Sequence, residues 1–474
     1  MSNEGKSPFL VTVYVTSHNY GRFLREALDS VLKQTLDSWE LIVLDDGSSD
    51  DSAEIAEEYA KADPDRILVI ATKESRGLRA CANEAIEKAR GRYIMRLDAD
   101  DFLDENALLV LSHYLERHPE VGLVFPNWVY IDEGGRFLGI ERRKLIGEES
   151  KVLDLPAHGA CTMVRRRILK SVGGYDVNHD SQDGHELWLK VLDRHEVANV
   201  ETPLFYYRQH GSSMSRNEER LLAARRTIKR SLASRESGEV SPRIVAVIPA
   251  RNTYKEMPNV VFSYLGGKTL LDHTLDETRT TGVFDTIYVS TDDAAVVEYC
   301  RNQEGVLSDL RDPKLSDSHV RLSELAVAAV ERLESVHSVF PDIVVVLSVH
   351  SPFRRAAHIQ EAVDTLKLYR VDNVFSAYED FDLHFQHGEN GMSPLNPGMI
   401  DRLRYEREAL FVDNGALHAS WRDFLREDNL YEGRIGHIIM TRQESLQIKS
   451  QKDLEYANWL LSNEHLVSSM SHEK

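Results

Sequence analysis

A chain of 474 residues exceeds what one hydrophobic core usually fills, so two or more domains are expected. The composition, 42% hydrophobic and 28% charged, is that of a soluble globular protein. A formal charge of −20 argues against nucleic acid or an anionic membrane as partner, yet leaves room for a local basic pocket. Cys81, Cys161 and Cys300 are odd in number and widely separated. They form neither a zinc spacing nor a disulfide framework, which fits a reducing cytoplasm. The opening MSNEGKSPF is polar, so no signal peptide is expected. No run reaches the ~20 apolar residues of a transmembrane segment. The expected location is cytoplasmic, with any membrane-bound acceptor met from the inner face.

In chain order, the β-branched run Val11 to Val15 predicts a strand ending in Thr16-Ser17-His18-Asn19. Phe23, Leu24, Ala27, Leu28, Val31 and Leu32 then recur at helical spacing. Leu41 to Leu44 predicts a second strand, ending in Asp45-Asp46-Gly47-Ser48-Ser49, and Ile55, Ala56 and Tyr59 a helix. Ile67 to Ala71 predicts a third strand, and Ala80 to Ala89 another helix. A fourth strand runs into Asp98-Ala99-Asp100-Asp101. This alternation predicts an α/β fold with a mostly parallel sheet, whose ligands bind beyond the carboxyl ends of the strands. The polar clusters at Thr16–Asn19, Asp45–Asp46 and Asp98–Asp101 all fall at that edge.

Three neighbouring carboxylates repel one another unless a cation sits among them. Oxygen ligands at a strand end suit Mg²⁺ or Mn²⁺. The alternative is a solvated loop capping the next helix, since Asp is a good N-cap. Further on, Asp132-Glu133-Gly134-Gly135 predicts a hairpin turn, and the polar stretch from about Arg142 to Leu155 a mobile segment shaping an acceptor site.

Six segments in order, VTSHN, LDDGSSDD, LDADD, GGYD at Gly173–Asp176, QDGHELWL at Gln182–Leu189 and YYRQHGSSMS at Tyr206–Ser215, resemble the family 2 glycosyltransferases. The resemblance implies a GT-A fold and a Mn²⁺ or Mg²⁺ cofactor. It places Thr16 and His18 at the nucleoside, and Asp45 or Asp46 at the base and ribose. Asp98 and Asp100 match the metal motif, Asp98 also bordering the donor nucleotide, and His210 matches a histidine beside the metal and phosphates. Arg76 and Arg79 are looser candidates for nucleotide binding. Sugar transfer to a hydroxyl needs one general base, and attack opposite the leaving group inverts configuration. Asp183 is the first choice of base and Glu186 the second, although the family's usual acidic pair is altered here to Gln182-Asp183. The partners implied are a nucleotide-sugar donor, with UDP favoured, and a glycan, lipid-linked or protein acceptor.

Glu218 to Arg235 predicts a helix, and Ser237 to Pro242 breaks it. Its Arg225, Arg226, Lys229 and Arg230 read as a solvated face between domains, with contact to an anionic acceptor as the alternative. Alternation resumes with strands at Ile244–Pro249, Thr286–Ser290, Ile343–Leu347 and Asn373–Ala377, and helices at Thr269–Thr280, Ser323–Leu333 and Ala356–Tyr369. Two Rossmann-like domains are therefore expected: residues 1–217, a helical linker at 218–242, and residues 243–474.

IPAR at Ile248–Arg251, LGGKTLLDHTL, VSTDD at Val289–Asp293, Ser351-Pro352-Phe353-Arg354 and NGALH at Asn414–His418 resemble the CMP-sialic acid synthetases, a family of sugar cytidylyltransferases. Arg251, Lys255, Ser351, Arg354 and Asn414 are the implied candidates for nucleotide or sugar binding, and a homodimer through this half is also implied. The family's phosphate-loop glycines are missing, and its two metal-binding aspartates are replaced by Gln447 and Lys449. These changes favour a degenerate domain that binds, positions or dimerises. The alternatives are a bifunctional enzyme activating a nonulosonic acid with CTP, and a non-catalytic scaffold.

Overall fold

The computed structural model of the chain describes residues 9–141, 159–177, 183–192, 195–210, 218–235, 241–253, 257–317, 319–388, 391–395, 400, 407 and 409–463. The stretch expected to shape the acceptor site, around Arg142 to Leu155, falls outside them, as do Gln182 and Lys255. The chain divides into two compact units, Met1–Arg225 with Phe381–Glu408, and Arg226–Asp380 with Ala409–Lys474.

The first unit opens with β1 (Val11–Ser17), α1 (Gly21–Leu32), β2 (Trp39–Asp46), α2 (Ser52–Ala62), β3 (Ile67–Thr72), α3 (Leu78–Lys88) and β4 (Tyr93–Asp98). It continues with β5 (Phe102–Leu103), α4 (Ala107–Arg117), β6 (Val121–Asp132), β7 (Phe137–Glu141), β8 (Met163–Arg165), α5 (Arg166–Ser171), α6 (Asp183–Leu192) and β9 (Glu196–Gln209). The sheet order among the described residues is β3-β2-β1-β4-β8-β6-β9-β5, with β7 paired to β6. Strands β1 to β4 are mutually parallel and almost wholly buried except β3. Their near-continuous apolar runs follow, because helices cover both faces of such a sheet. One face of β1, β2 and β4 (Val13, Val43, Met95) packs on Leu24, Leu28 and Val31 of α1.

The expected turn at Asp132–Gly135 joins β6 to β7 in an antiparallel hairpin. The long strands β6 and β9 pair in parallel, and β8 runs antiparallel to both β4 and β6. The far half of this sheet is thus mixed rather than parallel. The sequence pattern there is weak because β9 alternates buried and exposed residues irregularly.

Helix α7 (Glu218–Arg235) crosses the boundary between the units. The second unit contains β10 (Ile244–Ala250), the short pair β11 (Tyr264–Leu265) and β12 (Lys268–Thr269), α8 (Leu270–Thr281), β13 (Thr286–Thr291), α9 (Ala294–Arg301), β14 (Val306–Leu310), α10 (Leu322–His337), β15 (Ile343–Leu347), α11 (Ala356–Leu368) and β16 (Asn373–Asp380). A hairpin, β17 (Phe385–Gly388) and β18 (Gly391–Pro394), follows and groups with the first unit. Then come β19 (Leu410–Trp421), β20 (Ile435–Ile439) and α12 (Gln451–Ser462). The sheet order is β14-β13-β10-β15-β19-β16-β20. Its β14-β13-β10-β15 portion is parallel, like β3-β2-β1-β4 of the first unit.

The basic face expected to be solvated on α7 is broken by Lys229, which is fully buried with its Nζ 3.1 Å from Glu361 Oε1 on α11. Ile228 beside it is also buried, and the Tyr369 ring lies 5.9 Å from the ammonium. Lys229 is therefore part of the second unit's interior, whereas Arg230 stays exposed. Breaking a buried ion pair leaves the surviving charge unpaired and costs about 3–5 kcal/mol. Lys229→Met is expected to lose that much in urea unfolding of the second unit. The Lys229→Met/Glu361→Leu double variant is expected to recover most of it.

Candidate functional site

Parallel register builds the edge at which the first unit's polar clusters meet. Thr16 of β1 pairs with Leu44 on one side and Asp98 on the other, and Ser17 pairs with Asp45. Thr16, Asp45 and Asp98 therefore stand at the carboxyl ends of three adjacent strands, where the order reverses around β1. The turn after β2 needs glycine: Gly47 has φ +70°, and a Cβ there would lie 2.9 Å from Glu74 C and Ser75 N.

The two aspartates of that turn do different things. Asp46 accepts from the Arg76 and Gly77 amides at 2.7 and 2.8 Å and from Ser75 Oγ at 2.7 Å. Burial alone would raise its carboxyl pKa, but these hydrogen bonds outweigh it and hold the value below the usual range. Asp46 thus fastens the loop before α3. Asp45 is buried as well, and its Oδ1 has no hydrogen-bond partner among the described residues. His18 Nδ1 lies 2.7 Å from the Asp46 carbonyl, which fixes its ring beside that turn. Asp50, two residues before the start of α2, accepts from Ser52 N at 3.1 Å.

At the end of β4, Arg96 faces Asp98, with Nε 2.7 Å from Oδ1 and Nη2 donating to Oδ2 at 3.0 Å. Asp100 Oδ2 meets His210 Nε2 at 2.8 Å. Asp101 Oδ1 accepts from the Arg208 amide at 2.9 Å, and Arg208 Nε donates to the Asp100 carbonyl at 2.8 Å. The parallel pairing of β9 with β6 carries Arg208 and His210 to this edge. The Asp101 side chain is buried, and its Oδ2 lacks a hydrogen-bond partner among the described residues. Burial and the neighbouring carboxylates push Asp101 far above its ordinary pKa. Burial and Asp98 raise Asp100, while His210 opposes the rise. Burial and the same three acids lift the Tyr20 phenol to about 12. Helix α4 begins only at Ala107, with β5 in between, so these acids do not cap it.

Such mutual destabilisation is what a bound divalent cation relieves, and carboxylate with imidazole is a suitable donor set for Mn²⁺ or Mg²⁺. Among the described residues no three His, Cys, Asp or Glu side chains form a complete metal cage. The pair Asp100 and His210 with nearby Asp98 fits a cation that completes its shell from substrate phosphates and water.

Glu186 is buried and engaged on all sides. It forms an ion pair with Arg79, lies 2.5 Å from Lys190 Nζ and accepts from the Asp176 amide at 2.9 Å. Arg79 also donates to the Asp176 carbonyl at 3.1 Å. These contacts tie α6 to α3, with neither group presented as a base or a phosphate ligand. Arg76 contributes its amide to Asp46, and its guanidinium pairs with Glu84 at 2.7 Å. Asp183 is the first residue of α6.

Arg96, Arg208 and Tyr20 were not singled out by their spacing. Arg96 had a readable signal: it lies two residues before Asp98 in a strand, so both point to one face. Arg208 had none, because its partners are brought from more than a hundred positions away by strand pairing.

In the second unit, Arg251 Nε lies 3.9 Å from Asp292. Ser351 and Arg354 are buried rather than facing an open cleft. Arg354 Nη1 donates to the Ser348 and Ala416 carbonyls at 2.8 and 2.7 Å. Asn414 is also internal, accepting from Ser376 Oγ at 2.5 Å and donating to Ser445 Oγ at 2.8 Å.

The model of the family described as "Glycosyl transferase family 2" matches residues 12–173, and that described as "Cytidylyltransferase" matches residues 245–460. A putative glycosyltransferase, EpsE of Bacillus subtilis, is 36% identical over 214 residues, covering 44% of this chain and 75% of that protein. An uncharacterized glycosyltransferase of Methanocaldococcus jannaschii is 31% identical over 215 residues, covering 44% of this chain and 73% of that protein. An N-acylneuraminate cytidylyltransferase of Streptococcus agalactiae is 29% identical over 216 residues, covering 44% of this chain and 51% of that protein, about half its length. The chain belongs to glycosyl transferase family 2 and carries a cytidylyltransferase-like domain behind its glycosyltransferase domain.

Proposed function

We propose that the first domain transfers a sugar, with inversion, from a nucleotide-diphosphate donor to a hydroxyl acceptor, and that it depends on Mn²⁺ or Mg²⁺. The observation that carries this reading is the row of Thr16, Asp45 and Asp98 on adjacent strand ends, with the Asp100–His210 pair beside it. The unpartnered Asp45 Oδ1 suits an N–H or hydroxyl donor on the base or ribose, and His18 borders the same turn. A UDP-sugar is the donor we favour. A cation held by Asp100 and His210 would offset charge on the departing diphosphate. Arg96 pairs with Asp98 and orients it next to that pair.

Asp183 is the proposed general base. The acceptor oxygen attacks the anomeric carbon and its proton passes to Asp183. The carbon–oxygen bond to the diphosphate breaks, and its electrons leave with the nucleotide. Asp183 is the first residue of α6, and the amino end of a helix favours an ionised carboxylate. Glu186, Arg79 and Lys190 hold that helix in place from below. The acceptor we propose is a growing surface glycan or glycoconjugate, met at the inner face of a membrane. No described helix is long and apolar enough to cross one.

We propose further that the second domain does not activate sugars with CTP. Support comes from Gln447 and Lys449 standing where the resembling family has metal-binding aspartates. A screen of nucleotide sugars with Mn²⁺, read as free nucleotide, tests the donor assignment. Turnover of a UDP-sugar is expected, and turnover of other nucleotide sugars alone would overturn the UDP preference. Asp183→Asn is expected to lower kcat by about 10²–10⁴-fold with the thermal midpoint unchanged. Glu186→Gln should act in the opposite manner, lowering the thermal midpoint, because it unbalances a buried ion-pair cluster.

A further inference from the structure

Beyond the carboxyl ends of β10, β14 and β15 in the second unit lies a cavity of about 600 Å³. Arg251 follows β10, Arg311 follows β14, and Ser348 and His350 follow β15, all four lining it. Leu322, Leu325 and other aliphatic side chains make an apolar wall. Just behind, Arg354 is fully buried and bonded to the carbonyls of Ser348 and Ala416. Burial lowers its pKa to about 10, which leaves it charged at neutral pH. Of the two acids on the lining, Asp413 is committed: it accepts from the Gly415 amide at 2.7 Å and from the Tyr431 hydroxyl. Asp317 is the other. Arg251 and Arg311 thus stand on the lining with Arg354 behind it, set against Asp317 and Asp413 on the lining and Asp292 at 3.9 Å from Arg251, next to an apolar surface.

The metal that the resembling family implies does not fit here. Gln447 donates its amide to the Asn414 carbonyl and fills the space over Gly415, where a Cβ would lie 2.6 Å from Nε2. Ile448 is tied to His350 through both backbone groups, at 2.8 and 2.9 Å. The Lys449 amide is taken by Asp453 at the start of α12. Among the described residues no cluster of His, Cys, Asp or Glu able to hold a metal replaces the missing pair. Burial, and after it the positive charge of Lys449, lowers the pKa of His350 on the cavity lining.

From this arrangement we infer that the cavity of the second domain binds a phosphate- or carboxylate-bearing sugar or nucleotide through fixed cations, without a divalent metal and without nucleotidyl transfer. Arg251 and Arg311 take the anionic group, and the leucine wall covers the less polar face of the ligand. This inference rests on the reading that the domain has lost CTP-dependent activation, and it adds that the cavity remains a working ligand site. Fixed guanidinium groups replace the attraction a metal would supply, but they cannot align a triphosphate for in-line displacement as a multidentate cation does.

Calorimetry on the full chain tests this with CMP, CTP and N-acetylneuraminate, each in EDTA and in Mg²⁺, alongside an assay of pyrophosphate release. CMP and N-acetylneuraminate separate phosphate from carboxylate recognition. At least one of the three is expected to bind equally in EDTA and Mg²⁺. Arg251→Ala should weaken that binding at least tenfold with the thermal midpoint unchanged, and no pyrophosphate should form. Binding that requires Mg²⁺, or that Arg251→Ala leaves intact, would overturn the inference. Absence of binding together with absence of turnover would overturn it too, while leaving the non-activating reading standing. Pyrophosphate release from CTP and N-acetylneuraminate in Mg²⁺ would overturn both.

Discussion

Three carboxylates at the end of one strand are the constraint on which the glycosyltransferase domain depends. Asp98, Asp100 and Asp101 stand too close together to stay ionised in a half-buried place without compensation. The fold supplies part of it through Arg96 on the same strand, and through the backbone of Arg208 and the imidazole of His210 at the end of β9. The remaining imbalance, seen in the raised carboxyl pKa values of Asp100 and Asp101, is what the proposed cation would relieve.

The same edge shows how a parallel sheet gathers chemistry. Residues far apart in sequence become neighbours because β1 lies between β2 and β4 in register. Each strand needs only to end in the right side chain. Near-identical aspartates then separate in role through their surroundings. Asp46 is consumed by the loop before α3, whereas Asp45 keeps an oxygen open. Glu186 is consumed by Arg79 and Lys190, whereas Asp183 begins the helix that they anchor.

Much of this was legible in the sequence where burial is complete. β1, β2, β4, β10 and β15 are continuous apolar runs, and each was readable within a few residues. The mixed half of the first sheet was not, since β6 and β9 exchange faces and neighbours along their length. The fate of individual charges was also hidden. Whether Lys229 is solvated or sealed against Glu361 depends on a helix more than a hundred residues away. The choice between Asp45 and Asp46 depends on which of them the following loop folds back upon. The second domain repeats the strand order of the first and opens a cavity at the corresponding edge. Arg251 and Arg311 stand at that edge beside Asp317 and Asp413, and this difference in charge underlies the proposal of a metal-assisted site in one domain and a metal-free one in the other.

The central claim is that the acidic end of β4 holds a divalent cation together with a nucleoside diphosphate. Electron paramagnetic resonance titration of Mn²⁺ in the presence of UDP measures this directly, with wild type compared against Asp100→Ala. The account predicts one Mn²⁺ bound per chain in the wild type, and loss of that binding in the variant with the fold intact. Mn²⁺ binding of equal stoichiometry and affinity in Asp100→Ala would contradict it.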